Sequence, residues 1–162
     1  MYLFPLVFSI NNSVAQSAQP IISFNYGAHN PGRVGAALKM SVSTALICGC
    51  SAAILVAPGA GLITRSFLSP DEPAYTLAVK GLPLFALSSP FFALNIAFIG
   101  YYQSIEKALA PTVYTLLRGV IFLVPCFLLL PRLLGGTGLW LAIPAAELLT
   151  FAVIATRYII SR

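Results

Sequence analysis

Chemistry inside a long apolar sequence needs charged or strongly polar side chains, and this one has few. The 162 residues carry nine Lys and Arg, four Asp and Glu, and one His. Only Glu147 and Arg118 stand well inside stretches that otherwise lack charge. A carboxylate at such depth is costly in hydrocarbon, so Glu147 is a candidate proton carrier or cation ligand. The neighbouring stretch offers a structural alternative. Arg118 and Glu147 can form an ion pair across a helical hairpin, or Arg118 can snorkel back to the interface.

Amides form the second polar group. Asn11, Asn12, Gln16, Gln19 and Asn25 all fall within residues 2–26. Asn12, Gln16 and Gln19 recur at helical spacing, with Asn11 alongside. Hydrogen bonds between helices account for one or two such residues. So many on one helix point instead to the wall of a cavity. Asn95 lies deep in a later stretch, and Tyr101 and Tyr102 near its end suit an interfacial belt. The candidate cavity-lining residues are therefore Asn11, Gln16, Gln19, Asn25 and Asn95.

Other chemistries find no residues to run them. Cys48, Cys50 and Cys126 lie in apolar runs away from His29, without the four-ligand spacing of a zinc site. No nucleophile–base set and no phosphate-cradling loop occurs, so the chain reads as neither an enzyme nor a holder of a resident metal or cofactor. The net charge of +5 does not indicate nucleic acid, because the cations are scattered singly.

The elements that position these residues follow from composition. Apolar residues make up 59% of the chain and charged residues 8%, with mean hydropathy +0.91. Soluble domains carry about 25% charged residues, enough to cover a wet surface. The sequence therefore predicts an all-α polytopic transmembrane bundle, surrounded by membrane lipid. The first stretch lacks the basic start of a signal peptide and runs on too long for one.

A bilayer core about 30 Å thick needs roughly 20 helical residues. Uncharged stretches of that size predict about five spans, at 2–26, 40–64, 81–105, 111–131 and 139–160. Turn residues separate them at 27–33, 69–73 and 134–138, and the prolines and acids of 69–73 also favour a fresh helix start. Arg118 interrupts the fourth. Pro5, Pro20, Pro83, Pro90, Pro125 and Pro144 fall inside spans and predict bent helices. Ala45, Gly49, Ala52, Ala53 and Ala57 give the second span a surface for close helix contact.

Alternate loops distribute the cations unevenly. Arg33, Lys39, Lys107, Arg118, Arg157 and Arg162 fall to one side, and Arg65, Lys80 and Arg132 to the other, with Asp71 and Glu72. The cation-rich side is expected to be cytoplasmic, which puts the C-terminus inside an inner (plasma) membrane. An odd number of spans starting outside suits a piece of a longer bundle.

Four segments, in order, resemble one known family. The run Gln19-Pro20-Ile21-Ile22-Ser23-Phe24-Asn25-Tyr26-Gly27-Ala28, with Asn30 and Arg33, resembles the end of the eighth helix of MATE (multidrug and toxic compound extrusion) transporters. The segment Phe98-Ile99-Gly100-Tyr101-Tyr102-Gln103-Ser104-Ile105-Glu106-Lys107 resembles the end of their tenth helix. Leu117-Arg118-Gly119 with Ile121-Phe122-Leu123-Val124-Pro125 resembles the eleventh, and Gly138-Leu139-Trp140 through Pro144 and Glu147 the twelfth. The Tyr-Tyr-Gln-Ser segment and the Arg-Gly pair resemble the MepA-type branch.

The resemblance implies part of one six-helix lobe, about helices eight to twelve, of an antiporter that exports drugs or organic cations. A sodium ion or a proton would be the coupling ion, and a missing N-terminal lobe the partner. Ser88 and Ser89 stand where some cation-coupled members carry an acid, so Glu147 and Arg118 are the remaining ion-coupling or structural polar candidates. The alternatives are a non-transporting membrane fragment, from which no export is expected, and a lipid-linked oligosaccharide flippase of related architecture.

Overall fold

The computed structural model describes residues 3–107 and 109–160, with side chains from residue 9 onward. The expected start of the first span at Tyr2, and Arg162 in the cation tally, lie outside the described residues. Seven α-helices and one π-helical turn follow in order: α1 (Leu3–Gly27), α2 (Pro31–Arg65), α3 (Pro73–Ala86), α4 (Ser88–Ser104), α5 (Leu109–Leu116), the π turn (Leu117–Ile121), α6 (Leu123–Leu134) and α7 (Gly136–Ile160). Among the described residues there is no strand.

Each expected span is helical, but the ends move for local reasons. Residues 31–33 belong to α2 rather than to the turn before it. Asn30 Oδ1 accepts from the Arg33 N–H at 3.2 Å, and Pro31 opens the helix where a missing donor does no harm. Pro73 opens α3 in the same way, well before the expected start at 81. The third span is two helices, α3 and α4, bent by 42° about Leu87. Pro90 explains the break, because it has no N–H for the carbonyl of Ala86 and its ring crowds that carbonyl. The α6–α7 turn is reduced to Gly135, whose φ of 60° suits a residue without Cβ.

Among the described residues, three helical stretches are long and apolar enough to cross a membrane: Pro31–Arg65, Leu109–Leu134 and Gly136–Ile160. The bent pair Pro73–Ala86 and Ser88–Ser104 makes a fourth. The remaining member of the expected five, α1, has the length at 25 residues but not the apolarity. Its amides and serines are the reason.

The bundle packs around α4, which buries twelve of its seventeen residues against α1, α2 and α7. Small side chains allow the closest approach. Ala45 of α2 meets Ala93 and Ala97 of α4, and a Cβ at Gly49 would stand 2.8 Å from Pro90 Cα. Of the small residues singled out on α2, Ala52, Ala53 and Ala57 are only half-buried. The outward faces of α2 and α6 are greasy: Met40, Ile47, Ile54, Leu62, Leu129 and Leu133 are all exposed. That surface is suited to lipid.

Candidate functional site

Glu147 lies near the middle of α7, on a face that also buries Ala142, Ala146 and Thr150 against the bundle. Arg118 reaches it from the π turn, where Phe122 N–H donates to the Leu117 carbonyl at 2.8 Å, five residues back. Such a turn inserts an extra residue into the helical ladder and re-aims the side chains around it. Arg118 Nη2 stands 2.6 Å from Glu147 Oε1, and Arg118 Nε donates to the same oxygen at 3.2 Å. Of the two roles open to these residues, the structure contains the ion pair.

A third helix completes the arrangement. Asn95 Nδ2 donates to Glu147 Oε2 at 2.8 Å and to the Glu147 carbonyl at 2.9 Å. Phe92, one turn earlier on α4, places its ring 4.4 Å from the Arg118 guanidinium carbon. Both carboxylate oxygens therefore have donors, and the guanidinium is held on one side by charge and on another by an aromatic face. The arrangement fastens α4, the π turn and α7 together at one point. Side-chain exposure is 14% for Arg118 and 7% for Glu147, so both are largely covered by the bundle.

Asn95 thus belongs to a helix–helix junction, fully buried, and not to a cavity wall. Its exchange for Leu removes the donor to Oε2 and leaves a buried carboxylate oxygen short of a partner. We expect a loss of about 1–2 kcal/mol, since hydrogen bonds to charged groups are the strong ones and those in membrane bundles run weaker. Thermal unfolding of the Asn95→Leu protein in detergent checks this, and an unchanged midpoint rejects it.

The amides of α1 divide between two faces. Its buried stripe runs Asn11, Ala15, Ile22, Asn25, with Asn11 at 1% exposure. Asn25 Nδ2 turns back to the Ile21 carbonyl at 2.8 Å. Gln19 is half-buried and donates to Gln103 Oε1 on α4 at 3.0 Å. Gln16 points outward, beside the exposed Ser9, Ser13 and Ser17. Ser13 and Ser17 each donate to the carbonyl four residues back, at 2.8 and 2.7 Å. A hollow of about 540 Å³ opens between α1 and α2, walled by Ala18, Ile21, Met40 and Ala37 with Ser17, Asn25, Ser41 and the cation Arg33.

The five amides marked as a cavity wall are therefore not one wall. Asn25 lines the hollow, Asn11 and Asn95 are interior, Gln19 bridges helices, and Gln16 is on the outer surface. What the amide spacing alone did not single out is the serine set at 9, 13 and 17, which surrounds Gln16 at mid-helix on an exposed face that becomes apolar at Ile21 and Phe24. The four-residue spacing of these serines was the available signal. The Phe92 contact had none, because an apolar residue in an apolar span carries no mark of its partner.

A family model described as MatE matches residues 1–128. No curated protein and no solved structure matches the chain.

Proposed function

Because a match over residues 1–128 of 162 shows that this chain belongs to the MatE family of multi-pass membrane transporters, we propose that it works as one lobe of a multidrug efflux antiporter. The lobe corresponds to about helices eight to twelve of a MepA-type member and works against a second, N-terminal lobe. The exported compounds are lipophilic or cationic, and a sodium ion or proton gradient drives the exchange. The cation-rich end, with the C-terminus, faces the cytoplasm across the plasma membrane.

One observation carries this reading. At mid-helix, α1 turns Ser13, Gln16 and Ser17 away from the bundle, whereas α2 and α6 turn out Ile54, Leu62 and Leu129. Hydrocarbon does not reward an exposed amide face, so that face of α1 fits a water-filled route or a partner lobe. The hollow beside it has apolar walls and a few polar groups, the balance that suits amphiphilic organic compounds. Arg118, the cation within residues 111–131, is engaged by Glu147, whereas Arg33 lines the hollow at the α2 end.

Cysteine accessibility tests the reading. In a background with Cys48, Cys50 and Cys126 replaced by Ala, Gln16→Cys and Ser13→Cys are expected to react with a membrane-impermeant maleimide. A hydrophobic dye cation should slow that reaction, and Ile54→Cys should stay unlabelled. Equal reactivity at 16 and 54, or no protection by the dye, rejects the proposal.

A further inference from the structure

We propose that a groove at the cation-rich end of the bundle holds one anionic phospholipid, its phosphate at the rim and an acyl chain along α2. This does not rest on the transport reading. The rim is a cavity of about 540 Å³ among the ends of α1, α2, α4 and α7, bordered by His29, Asn30, Lys107 and Tyr158. A second hollow of about 530 Å³ shares Pro31, Gly35, Leu38 and Tyr158 with the first and runs on to Val42 and Phe98. Lys39 stands on its wall. The two form one groove, polar at the membrane surface and apolar below.

Shape and charge both select the occupant. No acid lines either hollow. Among the described residues this end carries Arg33, Lys39, Lys107 and Arg157 against the single acid Glu106. Basic pockets between helices at a membrane surface favour anionic headgroups, at about 1 kcal/mol per Lys or Arg near the surface. The apolar continuation along Leu38, Val42 and Phe98 has nothing to offer a free phosphate ion but suits an acyl chain. The passage is open beside Gly35, where no atom lies within 4 Å of the position a Cβ would take.

Native mass spectrometry of the whole chain, released from detergent with equimolar phosphatidylglycerol and phosphatidylcholine, tests the groove. We expect retained phosphatidylglycerol to exceed phosphatidylcholine by at least about fivefold, the factor that one surface cation supplies. Lys39→Gln with Lys107→Gln should bring the ratio close to one. Gly35→Leu should lower retention of both lipids by filling the passage. Arg65→Gln with Arg132→Gln, at the other end, should leave the ratio as in the parent. Equal retention of the two lipids by the parent protein overturns the proposal. So does an equal loss in the Arg65/Arg132 variant, which would make the effect one of general charge. Displacement of the lipid by millimolar inorganic phosphate would reduce the site to a headgroup pocket and overturn it too.

Discussion

Replacing Arg118 with Ala should destabilise the protein by about 3–5 kcal/mol. The substitution leaves the Glu147 carboxylate at 7% exposure with Asn95 as its only side-chain donor among those described. Removing one partner of a buried pair strands the other charge, and that desolvation is the main cost. Glu147→Gln should be milder. Arg118 is twice as exposed, its guanidinium keeps the Phe92 face, and its long stem can carry the charge toward water.

The measurement is thermal unfolding in detergent, where about 2–4 °C is expected per kcal/mol for a chain of this size. Arg118→Ala should fall by roughly 6–20 °C on that scale. A double variant, Arg118→Met with Glu147→Met, should recover more than half the loss, because well-packed apolar residues replace a buried pair at little cost. That non-additivity distinguishes the pair from two independent polar residues. An Arg118→Ala protein as stable as the parent, or a double variant equal to the sum of the singles, rejects the account.

The Arg118–Glu147 junction shows how far sequence reasoning reaches in a membrane chain. Two ionisable residues in apolar surroundings announce themselves by cost alone, and antiparallel neighbours joined by a short turn must face one another. Their pairing was therefore legible. The third member was not. Asn95 looked like a cavity residue because an amide in a span has two good uses, and sequence spacing along α4 cannot say which neighbour stands opposite. Only the approach of α7 to α4 decides between them, and that depends on Gly49, Pro90, Ala93 and Ala97 setting the depth at which α4 sits.

The same limit applies to α1. Periodicity correctly grouped Asn12, Gln16 and Gln19 on adjoining positions, but it fixes a face only relative to the helix itself. The buried stripe proved to be Asn11, Ala15, Ile22 and Asn25, rotated by about 100°, one residue's turn, from the amide stripe. Small Ala15 against Gly100, where a Cβ would come within 3.3 Å, sets that rotation. Helix boundaries failed in a different way. Asn30-Pro31 read as a turn when uncharged length was the criterion, although Asn before Pro is equally a helix start. The π turn left no trace at all beyond the presence of Arg118, because one extra residue in a ladder has no composition.

Replacing Gly81 with Val should cost about 2–4 kcal/mol, and the reason lies on another helix. Gly81 is buried on α3, and a Cβ there would overlap Cε2, Cδ2 and Nε1 of the Trp140 indole on α7. The ring therefore lies against bare backbone, and that contact joins α3 to α7. Valine must drive the indole out, so the lost contact is the same one that Trp140→Ala removes. The two single variants should lose similar stability, and Gly81→Val with Trp140→Ala should be little worse than either alone. Trp140 is the only tryptophan, so its emission reports the displacement directly: Gly81→Val should shift it, while Gly59→Val, whose nearest neighbour is the flexible Ile63 of its own helix, should not. Additive losses in the double variant, or an unmoved emission band in Gly81→Val, would show that the indole has room elsewhere and that α3 is held by other contacts.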